Sequence, residues 1–380
     1  MLPTIPGVQH VDILVRGAGI VGRSLALSMA RLGLQVAVCE TPQRPGAARD
    51  VRAFALNAAS VALLRQLKIW DALPVDASTA VDEMRIEGDD RGAALTFSAW
   101  EQRVGELAWI VDAAVLEREL ATAMRFAPHV RVVDEGATAQ LDFDLEALCD
   151  GGNSSSRAAR GVSFEPVHYG QQAIAARLTG SLDHQGFARQ WFRSPDVLAL
   201  LPFDTPLPHH SHALVWSLPD DAAQRLKTLD DAGFEFELNE ATRQAAGVLR
   251  LASERMMWPL MRARADTWCG EGWVLLGDAA HRVHPLAGQG LNLGLGDVAT
   301  LTRVVAARES WRPLGDERLL RRYARDRLTP TRAVTEVTDG LVTLFAREAP
   351  GLRELRNRGL GLFGRLTPIK RWLAARAIDA

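Results

Sequence analysis

Cysteine is scarce in this 380-residue sequence, with only Cys39, Cys149 and Cys269. Three residues so far apart give neither a disulfide framework nor a Cys-x-x-Cys pair for a metal or for thiol exchange. A reducing, cytoplasmic compartment is expected. No uninterrupted apolar run reaches the ~18 residues of a membrane-spanning helix, and Met1 to His10 lack the basic and apolar regions of a secretion signal. Neither sign of charge is in excess, the formal net charge being −2, so no global field recruits nucleic acid. What is present is a hydrophobic content of 47%, enough for a sizeable core and, at this length, for two domains.

Glycine clusters at two informative points. Val11 to Val15 reads as a short strand running into Gly17-Ala18-Gly19-Ile20-Val21-Gly22, after which Ser24 to Leu32 has helical spacing and Gly33 ends the helix. The next strand, Leu34 to Cys39, delivers Glu40 to the place where an acid can accept a hydrogen bond from a ribose hydroxyl. Strand, glycines, helix, strand and acid in series point to a dinucleotide. The second cluster follows Trp273 to Leu276, which reads as a buried strand stopping at Gly277. Asp278 then sits at a strand's C-terminal end, the edge where open α/β sheets place ligand crevices. Gly288 and Gly290 allow close backbone approach to a ligand as a helix begins near Leu291, and its free N–H groups favour an anionic or electron-rich group.

Other positions carry weaker signals. Asp150-Gly151, with Asn153, Ser154 and Arg157, offers a second phosphate and ribose contact or an ordinary turn. Arg52 is a candidate anion contact or a surface partner of Asp50, and Arg16 pairs with a phosphate or points away. His281 and His284 are candidates for a general base or for residues that fix the turn. Leu116, Leu120 and Met124 repeat at helical spacing and mark a core helix, and Val130 to Leu148 should hold short strands. Residues 82 to 100 read as strands of a separate sheet. Within 162 to 262, alternating stretches at Gln171 to Leu178, Val197 to Leu201 and Ala213 to Leu218, with a helix over Gln224 to Leu229, indicate a mainly antiparallel sheet inserted into an α/β domain. His209, His210 and His212 lie in a Pro-rich turn without further ligands at suitable spacing, so no metal is expected. Glu317 to Arg327 reads as a charge-dense helix with a solvated face. Thr367 and Pro368 begin an amphipathic helix bearing Ile369, Trp372, Leu373 and Ala377 on one face, suited to docking on the protein or on a membrane surface.

Three motifs now stand in order: Gly17-x-Gly19-x-x-Gly22 with Glu40, Asp150-Gly151 with Ser154 and Arg157, and Gly277-Asp278 through Pro285 to Asn292. Together they resemble the flavin-dependent aromatic hydroxylases of the p-hydroxybenzoate hydroxylase type. Arg52-Ala-Phe-Ala-Leu-Asn, Tyr169-Gly-Gln-Gln-Ala-Ile, Leu198-Ala-Leu-Leu-Pro, Trp258-Pro-Leu and His284-Pro-Leu-Ala-Gly-Gln-Gly-Leu-Asn-Leu-Gly are similar to the ubiquinone-biosynthesis branch. The similarity runs from about residue 10 to the end.

The resemblance implies an α/β (α+β) fold. A Rossmann-like FAD-binding domain (1–75, 104–165, 263–335) would carry an inserted antiparallel sheet domain (76–103, 166–262) and a C-terminal helical region (336–380). The segment from 120 to 150 is shorter than in the family, so its three-stranded meander is expected to lack a strand. FAD would meet Gly17, Gly19 and Gly22 at the pyrophosphate, Glu40 at the adenosine ribose and Asp278 at the ribityl chain. Arg52, Asp150, Gly151, Gly277, Gln289, Leu291 and Asn292 complete the implied cofactor contacts. Pro285, Gly288 and Gly290 would bound the oxygen chemistry, in which reduced flavin forms a C4a-hydroperoxide that passes oxygen to a phenol ring. NAD(P)H would bind transiently, near Asp150-Gly151. The implied substrate is an aromatic, lipid-tailed intermediate of ubiquinone synthesis, with peripheral membrane or complex contact through 365–378. Two alternatives stay open: a hydroxylase of a small soluble aromatic acid, and a non-catalytic FAD-binding subunit.

Overall fold

A computed structural model describes residues 9–40, 50–88, 94–284 and 288–346. The chain opens with β1 (Gln9–Arg16), α1 (Ile20–Ala30), β2 (Val36–Cys39), β3 (Ala53–Leu56) and α2 (Ala58–Gln66). Next come β4 (Ser78–Val81), β5 (Glu83–Glu87), β6 (Ala94–Ser98), α3 (Ala99–Gln102), β7 (Ala108–Asp112) and α4 (Ala113–Phe126). Leu116, Leu120 and Met124 are buried in α4, because their four-residue spacing places them on one face. Between β8 (Val130–Val133) and β9 (Leu141–Leu148) the chain makes only the 3-10 turn Gly136–Gln140, and α5 (Ser155–Ala159) follows.

The middle of the chain supplies β10 (Val167–Gly180), β11 (Phe187–Arg193), β12 (Asp196–Phe203), β13 (Ser211–Pro219), α6 (Asp220–Thr228) and α7 (Asp231–Thr242). It ends with β14 (Leu249–Leu251), β15 (Met256–Arg264), β16 (Cys269–Gly270), β17 (Trp273–Leu275), β18 (His281–Arg282), α8 (Gln289–Ala306) and α9 (Glu317–Ala346).

One sheet has the order β16-β17-β9-β1-β2-β8, and all its pairs except β16-β17 are parallel. The middle strands read as apolar runs because both faces are covered. One face carries Ile13, Val15, Val36 and Val38 into the main core with α1, α4 and α8; the other carries Val11, Leu14, Ala37 and Cys39. Arg16 pairs with both Cys39 and Leu148, and Leu148 pairs with Leu275, so these strands end level.

The second sheet has the order β18-β15-β10-β13-β12-β11-β5-β6, with β14 also on β10, and is antiparallel except for β11-β5. Residues 82 to 100 thus extend this sheet through β5 and β6. Helices α6 and α7 cover one face, packing on Ile174, Leu178, Leu198, Leu214 and Trp216. Helix α6 starts at Asp220, four residues earlier than expected, because Asp220 and Asp221 complement the positive end of a helix. The opposite face meets a small sheet, β3-β7-β4, where Phe203 and Leu201 pack on Ala53, Ala55 and Ile110.

Helix α9 runs unbroken past residue 335 and corrects one expectation. Its charge-dense start is not simply a solvated face, since Leu319, Leu320, Tyr323 and Arg327 are buried. Among the described residues no helix is long and apolar enough to cross a membrane. The expected helix from Thr367 lies outside the described residues, as does Pro285.

Candidate functional site

The level strand ends of the parallel sheet bring three distant motifs to one edge. Strand β1 leads into Gly17, β2 into Glu40, β9 into Asp150 and β17 into Gly277-Asp278. Backbone bonds lock the four together: Gly17 N donates to Cys39 O (3.1 Å), Cys149 N to Arg16 O (2.7 Å) and Leu276 N to Leu148 O (3.0 Å). This edge is where a ligand crosses an open parallel sheet.

The glycines there are demanded by contact. A Cβ on Gly22 would lie 1.9 Å from the Gly17 carbonyl oxygen, and one on Gly17 (φ 101°) would lie 2.5 Å from the Cys149 carbonyl oxygen. Gly19, at the start of α1, faces open space and has no side-chain cap, so the first N–H groups of α1 are available to an anion. Two buried acceptors, Asp150 Oδ1 beside this edge and Gln289 Oε1 at the start of α8, have no hydrogen-bond partner among the described residues. Buried polar atoms of this kind are rarely left unpaired. A ligand carrying phosphates, hydroxyls and ring N–H groups, such as a flavin dinucleotide, matches this set.

Individual side chains sort unevenly. Asp278 is exposed between buried Gly277 and Ala279. Glu40 is half-exposed and held by Arg23 Nη2 (2.7 Å). Gly151 has φ 82°, and Gly277 and Gly288 have φ 60° and 64°, values open to glycine at little cost. Helix α8 starts at Gln289, so Gly290, Leu291 and Asn292 fall in its first turn. The Asn292 side chain is saturated by protein: Oδ1 accepts from Asn57 N (3.0 Å) and Ser60 Oγ (2.7 Å), and Nδ2 donates to Ala55 O (2.8 Å) and Gly288 O (3.3 Å). Only its backbone faces the choice of a ligand. Arg52 forks onto Asp50, with Nε and Nη2 at 2.9 and 2.7 Å. Arg16 is drawn to the buried Glu146 (2.5 Å), which also binds Arg160, and so turns from any phosphate.

Neither histidine of the Gly277 stretch is poised as a base. His281 is buried, stacks on Trp268 and pairs through Nε2 with Asp297 (2.7 Å). Burial pushes His284 down to about 4, so it stays neutral near pH 7, with its ring edge-on to Tyr169. Asp297 itself stands outside the motifs legible in the sequence. It is wholly buried on α8 and also binds Arg327 Nε (2.7 Å) and Gly277 N (2.9 Å). A signal existed, since Leu293, Asp297 and Leu301 form one inward stripe.

Beside the Asp150 turn lies a cleft of about 280 Å³ lined by Asn153, Ser154, Arg157, Phe164, Met261 and Arg282. Arg157 lies 3.5 Å over Phe164, and burial, with Arg282 close by, holds its guanidinium below the usual arginine range. Neither arginine forms an ion pair among the described residues. Elsewhere, His209 meets two residues the sequence did not connect to it, His184 and Asp204. Their hydrogen bonds argue for a structural hub. His184 Nδ1 accepts from Gly186 N (3.1 Å), so Nε2 carries the proton facing Asp204 Oδ1 (3.3 Å) and has no lone pair for a metal.

Comparison with known proteins fits this geometry. A family model described as FAD binding domain matches residues 116–338. The chain is 31% identical to the 3-demethoxyubiquinol 3-hydroxylase of Escherichia coli, over 96% of this chain and 97% of that protein. It is 29% identical to the ubiquinone hydroxylase UbiL of Rhodospirillum rubrum, over 95% and 87%. Among solved structures, PqsL of P. aeruginosa in complex with 2-aminobenzoylacetate superposes with a TM-score of 0.76 at 20% identity, covering 93% of this chain and all of that one. The p-nitrophenol 4-monooxygenase PnpA of Pseudomonas putida gives 0.76 at 17%, covering 97% and 99%.

Proposed function

Because this chain belongs to the FAD-binding-domain family of flavin-dependent aromatic monooxygenases, in the ubiquinone-biosynthesis branch, we propose that it uses FAD, NAD(P)H and O₂ to hydroxylate a polyprenylated phenol. Bound FAD supplies what side chains lack, acceptance of a hydride from NAD(P)H and activation of O₂. The observation that carries the reading is the meeting of Gly17, Glu40, Asp150 and Asp278 at one sheet edge, where Asp150 Oδ1 has no partner among the described residues.

In this reading the chain's own groups bind, orient and exclude water. Gly17, Gly19 and Gly22 open the N-terminus of α1 to the pyrophosphate. Glu40 accepts from the adenosine ribose, and Asp278 and Asp150 from the ribityl chain and its neighbours. Gln289 and the backbone from Gly288 to Asn292 orient the flavin ring, and Pro285, Gly288 and Gly290 shape the pocket over the reacting atoms. Arg52 serves the cofactor only by exchanging Asp50 for it. The cleft of Arg157 and Arg282 takes a phosphate of NAD(P)H, which suits two cations that form no ion pair among the described residues. The cofactor-binding segments are 1–75, 104–165 and 263–335, the substrate segments 76–103 and 166–262, and the helical region 336–380. The shared sheet of β5, β6 and β10 to β15 supports that division.

Two relatives support this substrate, one a ubiquinone hydroxylase and the other a 3-demethoxyubiquinol 3-hydroxylase. Residues 365–378 are assigned to contact with a membrane surface or a biosynthetic complex. The test is anaerobic reduction of the purified yellow protein by NADPH with prenylated phenols, then product analysis after admitting O₂. A hydroxylated prenyl-phenol is expected. Turnover of small aromatic acids alone would overturn the substrate, and flavin that no phenol lets NADPH reduce would overturn the activity.

A further inference from the structure

The carboxylate of Asp297 does something the cofactor contacts do not require of it. It lies at the centre of the protein, with no exposure, on the inward face of α8. Its Oδ2 accepts from Gly277 N (2.9 Å) and from His281 Nε2 (2.7 Å), while Oδ1 accepts from Arg327 Nε (2.7 Å). Arg327 reaches on to the Leu293 carbonyl oxygen (3.1 Å). One carboxylate therefore joins the start of the Gly277–Ala279 turn, which bears Asp278, and β18 just after it to α8 and α9.

The surroundings leave this joint no slack. A Cβ on Gly294 would sit 2.7 Å from Val21 Cγ2 and 3.4 Å from Gly277 Cα, so α8 rests directly on the turn and on α1. Tyr323 adds a hydrogen bond from α9 to the Leu275 carbonyl oxygen (2.8 Å), just before the turn. A buried ion pair is weak evidence for stability, because desolvation offsets much of the attraction. It is better evidence for geometry, since a carboxylate with three fixed donors admits one arrangement of the elements bearing them.

We propose that Asp297 is a positioning residue of the FAD site, fixing the Asp278 turn at one distance from the first turn of α8. Asp278 and the Gln289–Asn292 backbone are then presented to the same ligand as a rigid pair, and affinity for FAD depends on a residue that does not touch it. His281 and Arg327 act through the same carboxylate. The inference rests on the reading of this edge as the FAD site.

The test is titration of the full-length apoprotein with FAD, followed by flavin fluorescence, beside urea unfolding of the apo form. Asp297→Asn turns an N–H group toward donors, so its Kd for FAD should rise at least tenfold. The double variant D297L/R327M strands no buried charge and should also raise Kd at least tenfold if the single variant folds poorly. Leu301→Ala, a cavity on the same helix, is the control, and its Kd should stay within threefold of the parent even where its urea midpoint falls as far. The inference is overturned if the double variant keeps the parent's Kd, or if Leu301→Ala weakens FAD as much as the Asp297 variants do. A parent protein that takes up no FAD would instead overturn the cofactor reading.

Discussion

Gly22 has no room for a methyl group, because its Cβ would lie 1.9 Å from the Gly17 carbonyl oxygen. That obstacle is backbone, which moves only by opening the turn. Gly22→Ala should cost roughly 3 kcal/mol in urea unfolding of the apoprotein, the upper part of the range for forced overpacking. An unchanged midpoint would mean the turn is looser than its geometry. His212 poses a different question, since it is buried with neither ring nitrogen paired among the described residues, and burial pushes it down to about 3 from 6.5. The unfolded chain takes a proton below 6.5 and the folded chain does not, so stability is complete above 6.5 and is lost as pH falls toward 3. His184, His210 and Arg189 add to the suppression from around it. Between pH 6.5 and 5 this one residue accounts for about 2 kcal/mol. His212→Leu should show a smaller fall in Tm from pH 7.5 to 5 than the parent, and an equal fall would contradict the assignment.

Elements that carry their own apolar period and turn residues were readable, and those whose face or role is set by a partner elsewhere were not. Strands β1 and β2, helix α1 and helix α4 announce themselves by apolar period and glycine position. Strand β17 and the start of α8 were legible for the same reason. Helix α7 was missed, because Phe234, Leu238 and Ala241 acquire their face only from the sheet beneath them. The roles of Asn292 and Asp297 lay beyond reach too, since their partners stand 235 residues before and 30 residues after. In hindsight Asp297 and Arg327 each occupy an inward position of a helical stripe, where a charge demands a buried partner. The cleft between the Asp150 turn, β15 and β18 depends likewise on long-range assembly. Arg282→Glu should raise KM for NAD(P)H at least tenfold by reversing the charge offered to a phosphate, while the Kd for FAD moves less than threefold. Equal loss of both would place Arg282 in the FAD site instead.

Across the whole molecule, one ligand is expected to hold both ends of the nucleotide-binding sheet. A cofactor that binds only the folded chain stabilises it by mass action, about 2.7 kcal/mol at a hundredfold excess over Kd. Adding FAD to the apoprotein should therefore raise Tm in proportion to the logarithm of its concentration, and a Tm indifferent to FAD would place its binding outside the cooperative core. The larger sheet is bound into the same unit, because Arg177 of β10 donates to the Arg52 carbonyl oxygen (2.7 Å) and pairs with Asp112 beside β3 and β7.

The four strand ends that meet at the cofactor edge come from residues 16, 39, 148 and 275. During synthesis the glycine turn is made early, yet β17, the Asp278 turn and α8 emerge more than 250 residues later. No nascent segment ending before residue 275 has a complete cradle. The cofactor is thus a late arrival, captured once all four strands exist, and cannot nucleate the sheet it joins. Distant contacts of this kind close slowly, so flavin supply is expected to govern the lifetime of the folded protein more than the speed of its folding.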